Sequence, residues 1–130
     1  MLISCTRCGK IHERGQCAIK RPYRPKEATE ITRFRSSAIW TRKRARILQR
    51  DGYACKVCAT RGRITARALQ VHHITPLTED FDRRTDDDNL LTLCEACHTD
   101  AHADAVTRKE LYELTEKSLT EILKNSIPPV

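Results

Sequence analysis

The chain has 130 residues and a formal net charge of +7, a length that holds one domain with at most a small appendage. Leu, Ile, Val and Phe make up roughly a fifth of it, near the composition at which apolar burial alone stops holding a chain folded. No apolar run nears the 18 or so residues of a membrane span, and Met1-Leu2-Ile3-Ser4-Cys5 is too short an apolar patch for a signal peptide, so a cytoplasmic chain is expected, whose seven cysteines point to metal rather than disulfides.

Charge is unevenly spread. Residues 1–50 carry 14 Lys/Arg against 3 Asp/Glu, and residues 51–130 carry 10 against 14. A basic front half points to a polyanionic partner, nucleic acid foremost, with a merely solubilising surface as the plain alternative.

The first 20 residues place Cys5, Cys8, His12 and Cys17 in a C-x2-C-x3-H-x4-C pattern, with Gly9 set for the tight turn of a zinc knuckle. Four ligands at this spacing match one tetrahedral zinc; incidental thiols in a tail are the alternative. Residues 21–35 are basic and broken by Pro22 and Pro25, without helical or strand period, and read as a linker or arm. A helix is predicted over 36–51, capped by Ser36 or Ser37, with Trp40, Ile47 and Leu48 as its apolar stripe and Arg44 and Asp51 on the same side. Arg42, Lys43, Arg46 and Arg50 lie largely elsewhere and are the candidate DNA contacts, a solvated face being the alternative. Strands are predicted at 69–74, ended by Pro76, and at 90–94. Helices are predicted at 95–105 and, as one amphipathic element, at 108–125. The acidic loop between the strands reads as a solvated turn, since Asp86-Asp87-Asp88 lacks the glycine and glutamate of a calcium loop.

Cys55-x2-Cys58 and Cys94-x2-Cys97 form the strongest pattern in the chain. Two tight thiolate pairs suit a structural zinc with no open position. Paired C-x2-C units argue against a redox role, and the C-x2-C-H stretch ending at His98 fits haem attachment only in an exported protein. The histidines cluster as well. His98 and His102 are four apart, on one face of a helix. His72 and His73 are adjacent on a strand, so they point to opposite faces and suit different tasks, one holding metal and one acting on substrate.

The pattern His72-His73-Ile74-x-Pro76-Leu77, then Asn89-Leu90, then Cys94-x2-Cys97-His98 resembles the HNH endonuclease family, in particular its small zinc-containing phage and prophage members. The basic lead-in from Arg33 to Tyr53 and the Cys5-x2-Cys8-Gly9-Lys10 knuckle resemble the same subgroup. The resemblance implies a small zinc-stabilised α+β fold. Its ββα-metal (His-Me finger) core lies at 69–105, within a nuclease domain over 36–125 that has flanking helices and an N-terminal knuckle. It implies His73 as general base, and His72 and His98 as ligands of one catalytic divalent ion (magnesium, manganese, nickel or zinc). His102 matches a ligand found in some branches only, and Asn89 pins the loop and the base. It further implies one or two structural zincs, DNA as substrate, and the terminase subunits of phage DNA packaging as partners. A zinc-stabilised DNA-binding or assembly module without nuclease activity is the alternative.

Overall fold

The computed structural model describes residues 1–19 and 29–126. Most of the expected linker, residues 20–28, lies outside the described residues, as do residues 127–130.

The N-terminal segment is a short antiparallel hairpin, β1 (Leu2–Ser4) with β2 (Ile11–Glu13), in which Ile3 sits opposite His12. Its turn runs through Gly9 at φ 71°, whose backbone N–H donates to the Cys5 carbonyl at 2.8 Å.

Residues 30–35, expected to have no period, form a helix, α1 (Glu30–Arg35). The Thr29 side chain caps it. Its one buried residue, Phe34, packs against Trp40, His73 and Phe81, so tertiary contact supplies what periodicity lacks. Ser37 then makes the corner: its hydroxyl donates to the Phe34 carbonyl (2.6 Å) and accepts from the Trp40 amide (3.2 Å), closing one helix and opening the next. That next helix, α2 (Ala38–Arg50), buries Ile47 and packs Trp40 and Leu48 beside it, the expected stripe.

Gly52 follows at φ 68°, a conformation that favours glycine, and a Cβ there would lie 2.9 Å from Leu119 Cδ2, so a larger residue would also have to push that side chain aside. The chain then enters a cysteine-capped single turn and a half, α3 (Lys56–Thr60). The centre of the molecule is the antiparallel pair β3 (Leu69–His73) and β4 (Leu90–Cys94), with Leu69 opposite Cys94 and His73 opposite Leu90. β4 is buried along its whole length. Residues paired across two strands share a face. Val71 and Leu90 therefore meet Ile47 of α2 on one side. Leu91 and Leu93 join the larger core on the other, with Val57, Val106, Leu111, Leu114 and Ile122.

Helix α4 (Glu95–His102) continues directly from β4. The single helix expected over 108–125 is two, α5 (Arg108–Thr115) and α6 (Leu119–Ser126). The reason is a second helix start. Thr107 and Glu110 form a capping box for α5. Ser118 and Glu121 repeat that arrangement for α6, the Ser118 amide donating to Glu121 Oε2 at 2.9 Å and the Glu121 amide to Ser118 Oγ at 3.2 Å. Among the described residues no helix is long and apolar enough to cross a membrane.

Candidate metal centres and active-site cleft

Among the described residues three clusters of side chains that could hold a metal ion are preformed, and in each the candidate ligand atoms lie within 4.8 Å of one another. They are the sets marked by spacing in the sequence: Cys5, Cys8, His12 and Cys17; Cys55, Cys58, Cys94 and Cys97; and His72, His98 and His102.

In the four-cysteine cluster every residue is buried and every thiol is free. Cys58 Sγ lies 3.7 Å from Cys94 Sγ and 3.6 Å from Cys97 Sγ. Zinc–sulfur bonds of about 2.3 Å in a tetrahedron set sulfur atoms roughly 3.8 Å apart, so the donors fit that ion. Cys94 and Cys97 come from the end of β4 and the first turn of α4, Cys55 and Cys58 from the start of α3, and the cluster joins the three elements.

The N-terminal cluster fits on a different observation. His12 Nδ1 donates to the Glu13 carbonyl at 2.8 Å, and that bond, with the Cys5 thiol, raises the His12 pKa to about 9. The ring's Nε2 is buried without a hydrogen-bond partner, and Cys5 and Cys17 sulfurs stand 3.7 Å apart beside it. An unpartnered Nε2 among three thiols suits a zinc ligand, and binding the ion would displace its proton.

In the third cluster the side-chain alternation of β3 sends His72 to the α4 side, where His98 and His102 present their rings one helical turn apart. His102 thus joins the cluster. The three rings meet edge to face with centroids 4.5 to 5.2 Å apart, and His98 Nε2 and His102 Nε2 are separated by 3.2 Å. Metal–nitrogen bonds of about 2.0–2.1 Å place neighbouring ligand nitrogens roughly 3.0–3.4 Å apart, so this donor set also fits an ion. Burial, reinforced by the two facing imidazoles, pushes the His72 pKa down to about 4, and burial lowers that of His98. Both are therefore neutral and open to coordination near pH 7.

His73, on the opposite face, enters an aromatic nest. Trp40 lies across its ring at 4.8 Å and 31°, and Phe34 meets it edge-on at 6.1 Å. Its Nε2 donates to the Arg84 carbonyl at 3.0 Å, so Nδ1 carries the lone pair. Burial lowers its pKa, keeping the ring neutral. Asn89 is wholly buried and saturated: Oδ1 accepts from the Thr75 amide (2.7 Å) and the Tyr112 hydroxyl (3.2 Å), while Nδ2 donates to the carbonyls of Thr75 (3.2 Å) and Arg83 (3.1 Å). It staples both ends of the loop between the strands. The carbonyl that orients His73 belongs to the residue after Arg83, so Asn89 acts on His73 through this loop, not by touching it.

His72, His73, His98 and His102 all border one cleft of about 490 Å³, which Trp40, Arg35 and Arg44 also line. Of the cations expected on DNA, Arg42 and Arg46 are exposed. Lys43 pairs with Asp87, which binds the acidic loop to α2. Arg50 turns inward: it pairs with Asp51 at 2.8 Å and donates to the carbonyls of Asp87 and Leu90, each at 2.6 Å. The acidic loop is correspondingly pinned rather than simply solvated, with Asp86 and Asp88 both on Arg83. Arg35 at the cleft and the stacking of Trp40 on His73 are absent from the sequence expectations, which set Arg44 on the Trp40 side of its basic helix without assigning it to the cleft. A signal existed for two of these, because helical spacing already set Trp40 and Arg44 on one side of α2.

The chain is similar to known proteins of one family. The HNH endonuclease family profile matches residues 55–104. The solved structure of an HNH endonuclease of the deep-sea thermophilic bacteriophage GVE2, determined with manganese ion, is 42% identical, with a TM-score of 0.55, over 58% of this chain and 82% of that one. No curated protein matches.

Proposed function

The chain belongs to the HNH endonuclease family, and from that premise we propose that it is a phage-type, metal-dependent DNA endonuclease hydrolysing phosphodiester bonds. One observation carries the reading. A neutral imidazole with its tautomer set, His73, borders the same cleft as a cluster of three imidazoles able to hold a divalent ion.

Each residue then has a task. His73 Nδ1 takes the proton of the attacking water, the role a neutral imidazole suits near pH 7. The Arg84 carbonyl holds the other ring nitrogen protonated, and Trp40 and Phe34 limit how far the ring can swing. Asn89 keeps Arg84 in place by stapling its loop. His72, His98 and His102 would hold the catalytic ion. When bound, it supplies charge neutralisation at a phosphate whose negative charge grows as the bond breaks. Nitrogen donors favour manganese, nickel or zinc over magnesium, and the GVE2 neighbour carries manganese. The Cys55–Cys58–Cys94–Cys97 and Cys5–Cys8–His12–Cys17 sets would hold structural zinc. A working place beside the terminase during DNA packaging follows from the resemblance to phage members of the family.

Supercoiled plasmid incubated with the wild type and with His73→Ala across magnesium, manganese, nickel and zinc tests the reading. The wild type should relax or linearise the plasmid, and the variant should be slower by about 10²–10⁴-fold while still binding DNA. Equal cleavage by the two proteins, or binding without cleavage by both under every ion, would end it.

A further inference from the structure

Resting on the nuclease reading above, we propose that Arg35 and Arg44 form a phosphate clamp on the α1–α2 wall of the cleft, gripping the backbone of the strand being cut. Among the described residues they are the two Lys/Arg side chains that line the cleft, while Arg33, Arg42 and Arg46, also without a carboxylate partner, do not. Lys43, Arg50, Arg83 and Arg108 are all committed to carboxylates, the last through a two-pronged pair with Glu79 at 2.7 Å. Among the described residues Arg35 and Arg44 have no carboxylate partner, and no Asp or Glu lines the cleft they face. A cleft walled by guanidinium groups and imidazoles, with no acid to compete, accepts an anion.

The two arginines are also firmly placed. Arg35 follows Phe34, whose ring is wedged among Trp40, His73 and Phe81. Arg44 sits one turn from Ile47 in the core, and its guanidinium rests 3.5 Å from the Leu69 carbonyl at the start of β3, leaving most of its five N–H donors unused. Helices anchored this way carry both guanidinium forks to the cleft wall with their donors open to solvent, and such a fork meets phosphate oxygens two at a time. The pair stands on the His73 side of β3, with the histidine cluster on the α4 side. A phosphate between them has the base on one flank and the ion's ligands on the other.

The test uses full-length protein carrying Arg35→Ala, Arg44→Ala, the corresponding Lys variants, and Lys124→Ala as a cation removed from α6. Plasmid cleavage is measured for each. Binding to a short duplex is measured against salt in a His73→Ala background, so the duplex stays whole. Each Arg→Ala change should lower kcat/KM by about tenfold to a hundredfold and flatten the slope of log K against log salt by about 0.9. The Lys variants keep the slope, since the charge remains, but lose rate with the fork. Lys124→Ala should leave both readouts at wild-type values. Wild-type rates and slopes in the Arg→Ala variants, or losses equal to that of Lys124→Ala, overturn the clamp. Should an Ala variant not fold, the rate of its Lys counterpart decides, a wild-type value overturning the clamp. A wild type that binds but never cuts defeats the nuclease reading instead, while the salt slope still judges the clamp.

Discussion

Cys97 and His98 are adjacent, yet the clusters they serve differ in every physical respect. Around Cys97 all four cysteines are buried and their number and spacing suit a closed tetrahedral site. Around His98 burial falls off from His72, 7% exposed, through a half-buried His98 to an exposed His102, and the donors number three. A closed, thiolate-lined cluster leaves nothing for a substrate to reach, so its binding energy goes into folding. An incomplete, half-open imidazole cluster would contribute less to folding and, holding an ion, would leave it open to the cleft that these histidines line. One helix start, at Glu95, serves both. Whatever fixes Cys97 therefore also aims His98.

The sharpest way to break this comparison is to remove one ligand from each cluster. Cys97→Ser should abolish cooperative thermal unfolding, since a structural zinc is worth on the order of 10 kcal/mol. His98→Ala should keep the melting transition within a few degrees of wild type while plasmid cleavage disappears. Circular dichroism melts beside the cleavage assay read both. Loss of the fold in His98→Ala would remove the division of labour.

A smaller effect is expected at Asp51, where the division is buttressed without metal. Asp51 is wholly buried, accepts from the Thr92 amide at 2.9 Å, and pairs with Arg50 and with Lys56, whose Nζ also caps α5 by donating to the carbonyls of Leu114 and Lys117. Removing Lys56 leaves Asp51 to Arg50 alone and strips the Leu114 and Lys117 carbonyls of their donor, so Lys56→Ala should cost about 3–5 kcal/mol in denaturant unfolding. Burial pushes the Asp51 carboxyl up, but Arg50 and Lys56 outweigh it and hold the pKa below the ordinary carboxylate value. Its contribution is thus full above about pH 4 and is lost as the carboxyl takes a proton below that. Wild type should therefore lose stability on acidification more steeply than Asp51→Asn, with cleavage at neutral pH little changed per folded molecule.

Smallest, and confined to the reaction, is Trp40. Trp40→Ala should lower kcat by about tenfold through a looser His73 with KM nearly constant, and Trp40→Phe should restore most of it. A fall in stability that tracks the fall in rate in both variants would make Trp40 a core residue only.

Much of the site was legible because its ligands are local. The two C-x2-C pairs, the one-turn spacing of His98 and His102, and the opposite pointing of His72 and His73 follow from backbone geometry within a few residues, and the structure shows each. What stayed hidden depends on partners far along the chain. Arg50 reads as a DNA contact until the carbonyls 37 and 40 residues on are seen to claim it. Helix α1 has too few turns for a period, and Phe34 is held by residues brought together only by folding. The break between α5 and α6 lies between these cases, since its Ser118–Glu121 box is written locally but is masked by an apolar stripe that continues across it. The identity and spacing of the side chains that could hold metal were thus decided by the sequence itself, through covalent geometry. Which cations stay free for a phosphate, and which are spent on the fold, was decided only by tertiary structure, because a charge's partner depends on distance in space.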